Sequence, residues 1–204
     1  MAVKTNAYTS KTPDRYLLDA GAIYFNLTFD KATGEASGDL MGATNGGNEF
    51  TIEQEMRDIE IDGVRGRSKG GSVIQSENAD LTVNLKELTA NNIEKAIAGA
   101  TRDSDSMVGY DIISSKGRIE MDDYTDNVAF VGRISGNKKP VIFVLDNVIS
   151  LEGLGITTSD DDEATVPIKF GAHYDADTTE LEAAPYRIYW PKEETEEEEG
   201  GVEG

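Results

Sequence analysis

Cysteine is absent from this sequence, and histidine occurs once, at His173. Without cysteine there is no disulfide framework and no thiolate metal site, and one imidazole is too few for a histidine-based metal centre. Basic residues are scarce as well: 19 Lys and Arg stand against 39 Asp and Glu, a formal net charge of −20. Nucleic-acid affinity comes largely from clustered cations that displace counterions, so this balance argues against adhesion to DNA, though not against DNA passing nearby. No run approaches the ~18 apolar residues of a membrane span. The opening residues, MAVKTNAYTSKTPDRYLL, also lack the apolar core of a secretion signal. The expectation is a soluble protein made in a cytoplasm, with no membrane partner. Aromatic residues are few and sit inside alternating runs, where they read as core and offer no stacking platform for bases.

What is present is period-two alternation, broken by 21 glycines, which points to a mainly β domain. The 204 residues suffice for one domain with a sizeable core and arms. Residues 1–18 are polar, contain Pro13 and are expected to form an N-terminal arm. Residues 19–176 are expected to form the β domain and 177–191 a C-terminal arm. The stretch 192–204 holds seven glutamates and one lysine with nothing to pack, so a disordered acidic tail is expected there.

Within the domain, 21–29 (GAIYFNLTF) puts Ile23, Phe25, Leu27 and Phe29 in one strand phase, and 30–39 (DKATGEASGD) reads as turn throughout. The run 72–88 turns Ala79, Leu81, Val83 and Leu85 inward and Asp80, Thr82, Asn84 and Lys86 outward. A single helix is expected next. Thr89 or Asn91 would cap it, Asn91 and Glu94 have capping-box spacing, and Ile93, Ala96, Ile97 and Ala100 form one stripe, with Gly99 as C-cap. Residues 101–106 read as a polar loop and 110–121 as two short alternating pieces. A hairpin is expected from 128–135 and 141–149, its second strand (VIFVL) apolar on both faces and therefore central. A strand follows at 164–174, with Val166, Ile168, Phe170, Ala172 and Tyr174 in phase and Pro167 placing it at an edge, and 186–190 is a last extended piece.

The chain is organised around 48–71, NEFTIEQEMRDIEIDGVRGRSKGG. Phe50, Ile52 and Met56 take one face, and Thr51, Glu53, Glu55 and Arg57 the other; Ile59 and Ile61 then continue on odd numbers, as a bulge near Arg57 and Asp58 would produce. Extended from 48 to 62 at roughly 3.3 Å per residue, this strand would reach about 50 Å, longer than an ordinary strand, so part of it is expected to leave the core and pair elsewhere. It ends in a glycine-rich basic loop of Gly63, Val64, Arg65, Gly66, Arg67, Lys69, Gly70 and Gly71, expected to be an assembly loop between subunits. The loop lacks phosphate-loop spacing and no helix start follows it.

Catalytic and metal patterns find little support. Asp175, Asp177 and Thr179 match the D-x-D-x-T spacing of haloacid-dehalogenase-like phosphatases, but too little chain follows to build their domain. The acidic run 160–163 and the pair Asp103 and Asp105 lack the alternating ligands and central glycine of a calcium loop. His173 has Asp175 nearby but no identifiable nucleophile, and reads as an edge histidine. No catalytic, cofactor-binding or metal residue is therefore assigned, and no enzyme activity is expected.

Several segments in order, DAGAIYFN (19–26), GATNGGNEFTIEQEMRDIEIDGVRG (42–66), ADLTVNLKELT (79–89), IAGA (97–100), VGRISGNKKPVIFVLDN (131–147) and VPIKFGAHYD (166–175), resemble tail tube proteins, the major tail proteins of long, non-contractile-tailed bacteriophages. The resemblance covers about 20–175 and includes no catalytic motif. It implies a β-sandwich or barrel-like domain with one flanking helix and a long projecting hairpin. It also implies hexameric rings that stack into a tube through which DNA leaves the virion. The implied partners are further copies of the chain and the tape measure, tail tip and terminator proteins, with DNA passing unbound. The implied location is the virion tail, assembled in the bacterial cytoplasm.

On such a hairpin the polar face is Glu49, Thr51, Glu53 and Glu55 on one strand and Asp80, Thr82 and Asn84 on the other. These are the candidate lumen residues; the alternative leaves this face external and builds the lumen from the 128–149 hairpin. A different class of function, a β-sandwich binding module for a receptor or carbohydrate, would require an aromatic platform or loop cluster that the sequence does not display.

Overall fold

The computed structural model describes residues 6–158, 160, 163–175 and 183–192. Its strands are β1 (Leu17–Phe29), β2 (Ala36–Leu40), β3 (Thr44–Asp58), β4 (Ser72–Leu85), β5 (Ala100–Asp103), β6 (Ile112–Ser115), β7 (Thr125–Ile134), β8 (Val141–Ser150), β9 (Val166–Gly171) and β10 (Tyr186–Tyr189). One helix, α1 (Ala90–Ala96), follows β4. The strand order is β2-β1-β7-β8-β9-β4-β3, with β10 also on β8, while β5 and β6 make a separate two-stranded sheet. Every pairing is antiparallel. The fold is mainly β and sandwich- or barrel-like, with one helix.

The sheet turns its corner on β8. Ile142–Leu145 lies between β7 and β10, whereas Ile149 and Ser150 pair with β9. Between the two stretches Asn147 adopts φ 51°, a left-handed conformation that asparagine tolerates better than most residues. As the sequence predicts, VIFVL is central and covered on both faces. Leu145 joins Ile23, Phe25, Leu81, Val83, Leu85, Val128, Ile168 and Phe170 in the main core, while Ile142 and Val144 pack with Leu27 and Ala129 on the far side of the sheet. At about 1.5–3 kcal/mol for each large side chain buried, this main core is the principal stabilising term.

The phase expected for β1 is broken at Asn26, which sits at φ 51° where the β1–β2 register slips. Ile23 and Phe25 therefore enter the main core, but Leu27 goes to the opposite face. The side chain of Asn127 repairs the interrupted ladder: it accepts from Leu27 N–H at 2.7 Å and donates to Leu27 C=O at 3.1 Å.

Several boundaries depart from the sequence reading. The stretch 30–39 is not turn throughout, since 36–40 is edge strand β2; every residue of it is exposed, so no apolar alternation marks it. Part of the expected polar loop 101–106 is β5, and only one piece of 110–121, β6, is a strand. The arm expected over 1–18 ends earlier, because Leu17 and Leu18 already pair with Ile134 and Arg133. The arm expected over 177–191 includes β10, which is paired to β8. Residues 176–182 and the tail over 193–204 lie outside the described residues. Strand β9 has β4 along one side and meets β8 only at Phe170 and Gly171, so Pro167 does stand where no strand continues beyond it.

The helix is shorter than its apolar stripe implied. Thr89 is the cap, its hydroxyl accepting from Asn92 N–H at 3.2 Å, and the chain is extended again at Ile97. Gly99 follows at φ 66°, where a Cβ would strike the carbonyl of Arg118. Of the expected stripe Ala96 is buried and Ile93, Ile97 and Ala100 are half-buried, while the other buried helix residue is the polar Asn92. Asn92 donates to Met41 C=O at 2.7 Å and Glu87 C=O at 3.2 Å, tying the helix to the loops flanking β3 and β4. Asn92→Ala leaves buried carbonyls without donors, at a cost of about 1–3 kcal/mol. In a chain of this size Tm should drop by roughly 2–4 °C per kcal/mol, measurable by calorimetry, and an unchanged Tm would mean the loops satisfy those carbonyls otherwise.

Candidate functional site: the projecting hairpin

Strands β3 and β4 pair continuously from Asn48 opposite Val83 to Asp58 opposite Ser72. Entry into the long strand depends on Gly46 and Gly47, at φ 88° and 87°, which absorb the register slip between Thr44 and Asn48. Near the body the hairpin is part of the sandwich. Phe50 and Ile52, opposite Leu81 and Ala79, pack against the main core, and the Phe50 ring lies 5.0 Å from that of Phe143.

Beyond Ile52 the hairpin leaves the body. Residues 53–70 are exposed apart from Ser68, and residues 72–78 of β4 pair with β3 alone. The second irregularity lies just before Arg57, close to where the alternation suggested, but the extra residue is on the partner strand. Glu55 faces Ser76 while Met56 faces Ile74, so the extra residue is Gln75. Met56 and Ile74 thus continue the core-facing side past the core and are 67% and 55% exposed.

A polar clamp marks the root of the projection. Gln54 Nε2 donates to Glu77 Oε1 at 2.6 Å, and the Tyr186 hydroxyl, carried by β10, donates to the same oxygen at 2.7 Å. The sequence gives no signal for this contact, because Tyr186 is 109 residues from Glu77.

The structure brings the expected polar face together. Glu49, Thr51, Glu53 and Glu55 stand opposite Thr82, Asp80, Asn78 and Ser76, all on the side away from the core. Asn84 lies further along the same strand, with its amide donating to Gly47 C=O at 2.9 Å. The face is not uniformly acidic. Lys169 of β9, opposite Thr82, reaches Asp80 at 3.0 Å, a partner missed from sequence because the two strands are far apart in the chain. Its hydrogen bond to Asp80, then the charges of Asp80, Glu152 and Glu53, hold the Lys169 ammonium above its ordinary range.

At the tip, Arg67 pairs with Asp58 at 2.9 Å, Ser72 Oγ donates to the same carboxylate at 2.5 Å, and Ile59 N–H reaches Gly71 C=O at 2.6 Å. Gly63, Gly66 and Gly70 all have positive φ with open space around them. Arg65 and Lys69 make no ion pair among the described residues.

Of the other candidates, His173 Nδ1 lies 3.1 Å from Gly171 C=O and 3.2 Å from Asn147 C=O, with its ring edge-on to Tyr124. It braces the β8 corner. Asp103 organises its own loop through Ser106 and the N–H of Asp105, and these hydrogen bonds lower its pKa. Asp161 and Asp162 of the acidic run, and Asp177 and Thr179 of the phosphatase-like spacing, lie outside the described residues. Among the described residues no group of three or more acidic or histidine side chains is placed to hold a metal ion. No protein-family model matches this chain, and a search of curated proteins finds no relative.

The clamp has a titration signature. The hydrogen bond to Glu77, followed by burial and the charge of that carboxylate, pushes the Tyr186 phenol up to about 12 from its ordinary 10.0. A phenol whose pKa is higher folded than unfolded stabilises the fold fully below pH ~10, and that contribution disappears as pH rises from ~10 to ~12. Absorbance of tyrosinate against pH should show one of the 8 tyrosines ionising late, and Tyr186→Phe should abolish that phase. A single step near pH 10 for all of them would mean the clamp does not form.

Proposed function

We propose that this chain is a structural virion protein that polymerises as stacked rings, hexameric in the tail tube proteins it resembles, into the tail tube through which phage DNA is ejected. The observation that carries this reading is the projecting hairpin. Strand β3 ends the sheet order, so among the described residues no strand is paired to its outer edge, and residues 72–78 of β4 leave a second edge open. Exposed edges of this length invite pairing, and closing a barrel with neighbouring copies is the arrangement that leaves none. The other partners in this reading are the tape measure, tail tip and terminator proteins, and the location is the virion tail.

The outer face of the hairpin supports a role for charge. Glu49, Glu53, Glu55 and Asp80 share it with Lys169. Closed into a ring, this face would line the lumen and repeat its net negative charge around the channel, repelling phosphates so that DNA slides without adhering. Electron microscopy of the purified protein should show rings or tubes. A stable monomer that saturates with a carbohydrate or receptor ligand would instead favour a binding module.

Phage carrying Glu53→Lys and Glu55→Lys should still assemble tubes, because both side chains are exposed, but should eject DNA several-fold more slowly and with strong salt dependence. Unchanged ejection would move the lumen to other strands, the β7–β8 hairpin first.

A further inference from the structure

The excursion between α1 and β7 is poorly explained by the isolated chain. Among the described residues strands β5 and β6 pair with each other and with no other strand. They rest on α1, where Arg102 of β5 pairs with Glu94 at 3.4 Å, and a two-stranded hairpin is only marginally stable without such support. Among residues 101–122 all but Ile113 and Lys116 are exposed. The excursion is held at its base by Lys116, which pairs with Asp123 at 2.7 Å and Glu120 at 3.0 Å and donates its N–H to Gly99 C=O at 2.9 Å. Its outer loop, 104–111, nevertheless displays Met107, Val108 and Tyr110, with Val108 98% exposed. Asp105 and Asp111 flank these apolar residues and have no ion-pair partner among the described residues.

The hairpin tip has the opposite arrangement. Ile59, Ile61 and Val64 are about half exposed there, beside Arg65 and Lys69, which make no ion pair among the described residues. Each surface joins an apolar cluster to charges of one sign, and the signs are complementary. Two different complementary patches on one chain make a heterologous contact, which propagates from copy to copy instead of closing as a two-fold dimer.

We propose that the β3–β4 tip of one copy docks on the 104–111 loop of the next, with Ile59, Ile61 and Val64 covering Met107, Val108 and Tyr110, and Arg65 and Lys69 meeting Asp105 and Asp111. The contact rests on the reading of this chain as a self-assembling structural protein and names the surface that receives its tip. Exposed ion pairs contribute little on their own, so the apolar cover supplies affinity and the charges select the register. Arg67 takes no part, because it is engaged with Asp58. Asp103 takes none either, because it caps its own loop.

The absence of native cysteine makes the test direct. Full-length Val64→Cys/Val108→Cys, treated with a short bifunctional maleimide, should give a ladder of cross-linked species, whereas either single variant should give none beyond background. In a second arm, Arg65→Glu/Lys69→Glu and Asp105→Lys/Asp111→Lys should each lose assembly by light scattering while keeping the wild-type Tm. An equimolar mixture of the two should recover assembly, since each then offers the other a complementary patch. Tubes of the Val64→Cys/Val108→Cys chain that give no ladder, or reversed variants that assemble normally, would overturn this contact and leave the tube reading standing. Reversed variants that fail alone and also fail as a mixture overturn the pairing, and a wild-type chain that stays monomeric at all concentrations overturns both.

Discussion

A β-strand that leaves its sheet carries with it a row of backbone N–H and C=O groups that only water or another strand can satisfy. Here the constraint is concentrated in β3 and β4. Their inner halves are spent on the sandwich through Phe50, Ile52, Ala79 and Leu81, while their outer halves extend into solvent with two edges open. The rest of the structure serves to hold that projection. The main core fixes its base, Asn92 ties the helix to the loops around it, and Gln54, Glu77 and Tyr186 form a clamp where it leaves the body.

The body is closed by irregularities placed at particular residues. Left-handed asparagines at 26 and 147 break the pleat where the sheet must switch faces or turn its corner. At the first, the Asn127 side chain restores the missing ladder bonds; beside the second, His173 makes its carbonyl contacts. These devices let a single run of strands wrap around one core and still support a second apolar layer on its far side.

How much of this was legible in the sequence depended on whether burial left a mark. The inward set Ala79, Leu81, Val83 and Leu85 was plain because that strand buries one clean face, and VIFVL was plain because it is covered on both. The candidate face of Glu49, Thr51, Glu53, Glu55, Asp80 and Thr82 could be grouped from alternation alone, since the register keeps those residues opposite one another. Strand β2 was invisible because an edge strand with every residue exposed has no apolar period. The phase flip at Asn26, the bulge at Gln75, the lysine on the acidic face and the tyrosine clamp were out of reach for a different reason. Each depends on a contact between segments far apart in the chain, or on a backbone angle that several residues in β1 and β4 could have supplied.

Residue-resolved amide hydrogen exchange on the hairpin, with the purified chain compared in dispersed and assembled form, tests most directly the claim that its open edges are completed by further copies. In the dispersed chain, amides of 53–58 and 72–78 that point away from the β3–β4 pairing should exchange at nearly the rate of free peptide. In the assembled form the same amides should slow by orders of magnitude, while the buried core amides of β8 change little. Equal, fast exchange of those outward amides in both states would contradict the account, because the edges would then face water in the assembly as they do in the single chain.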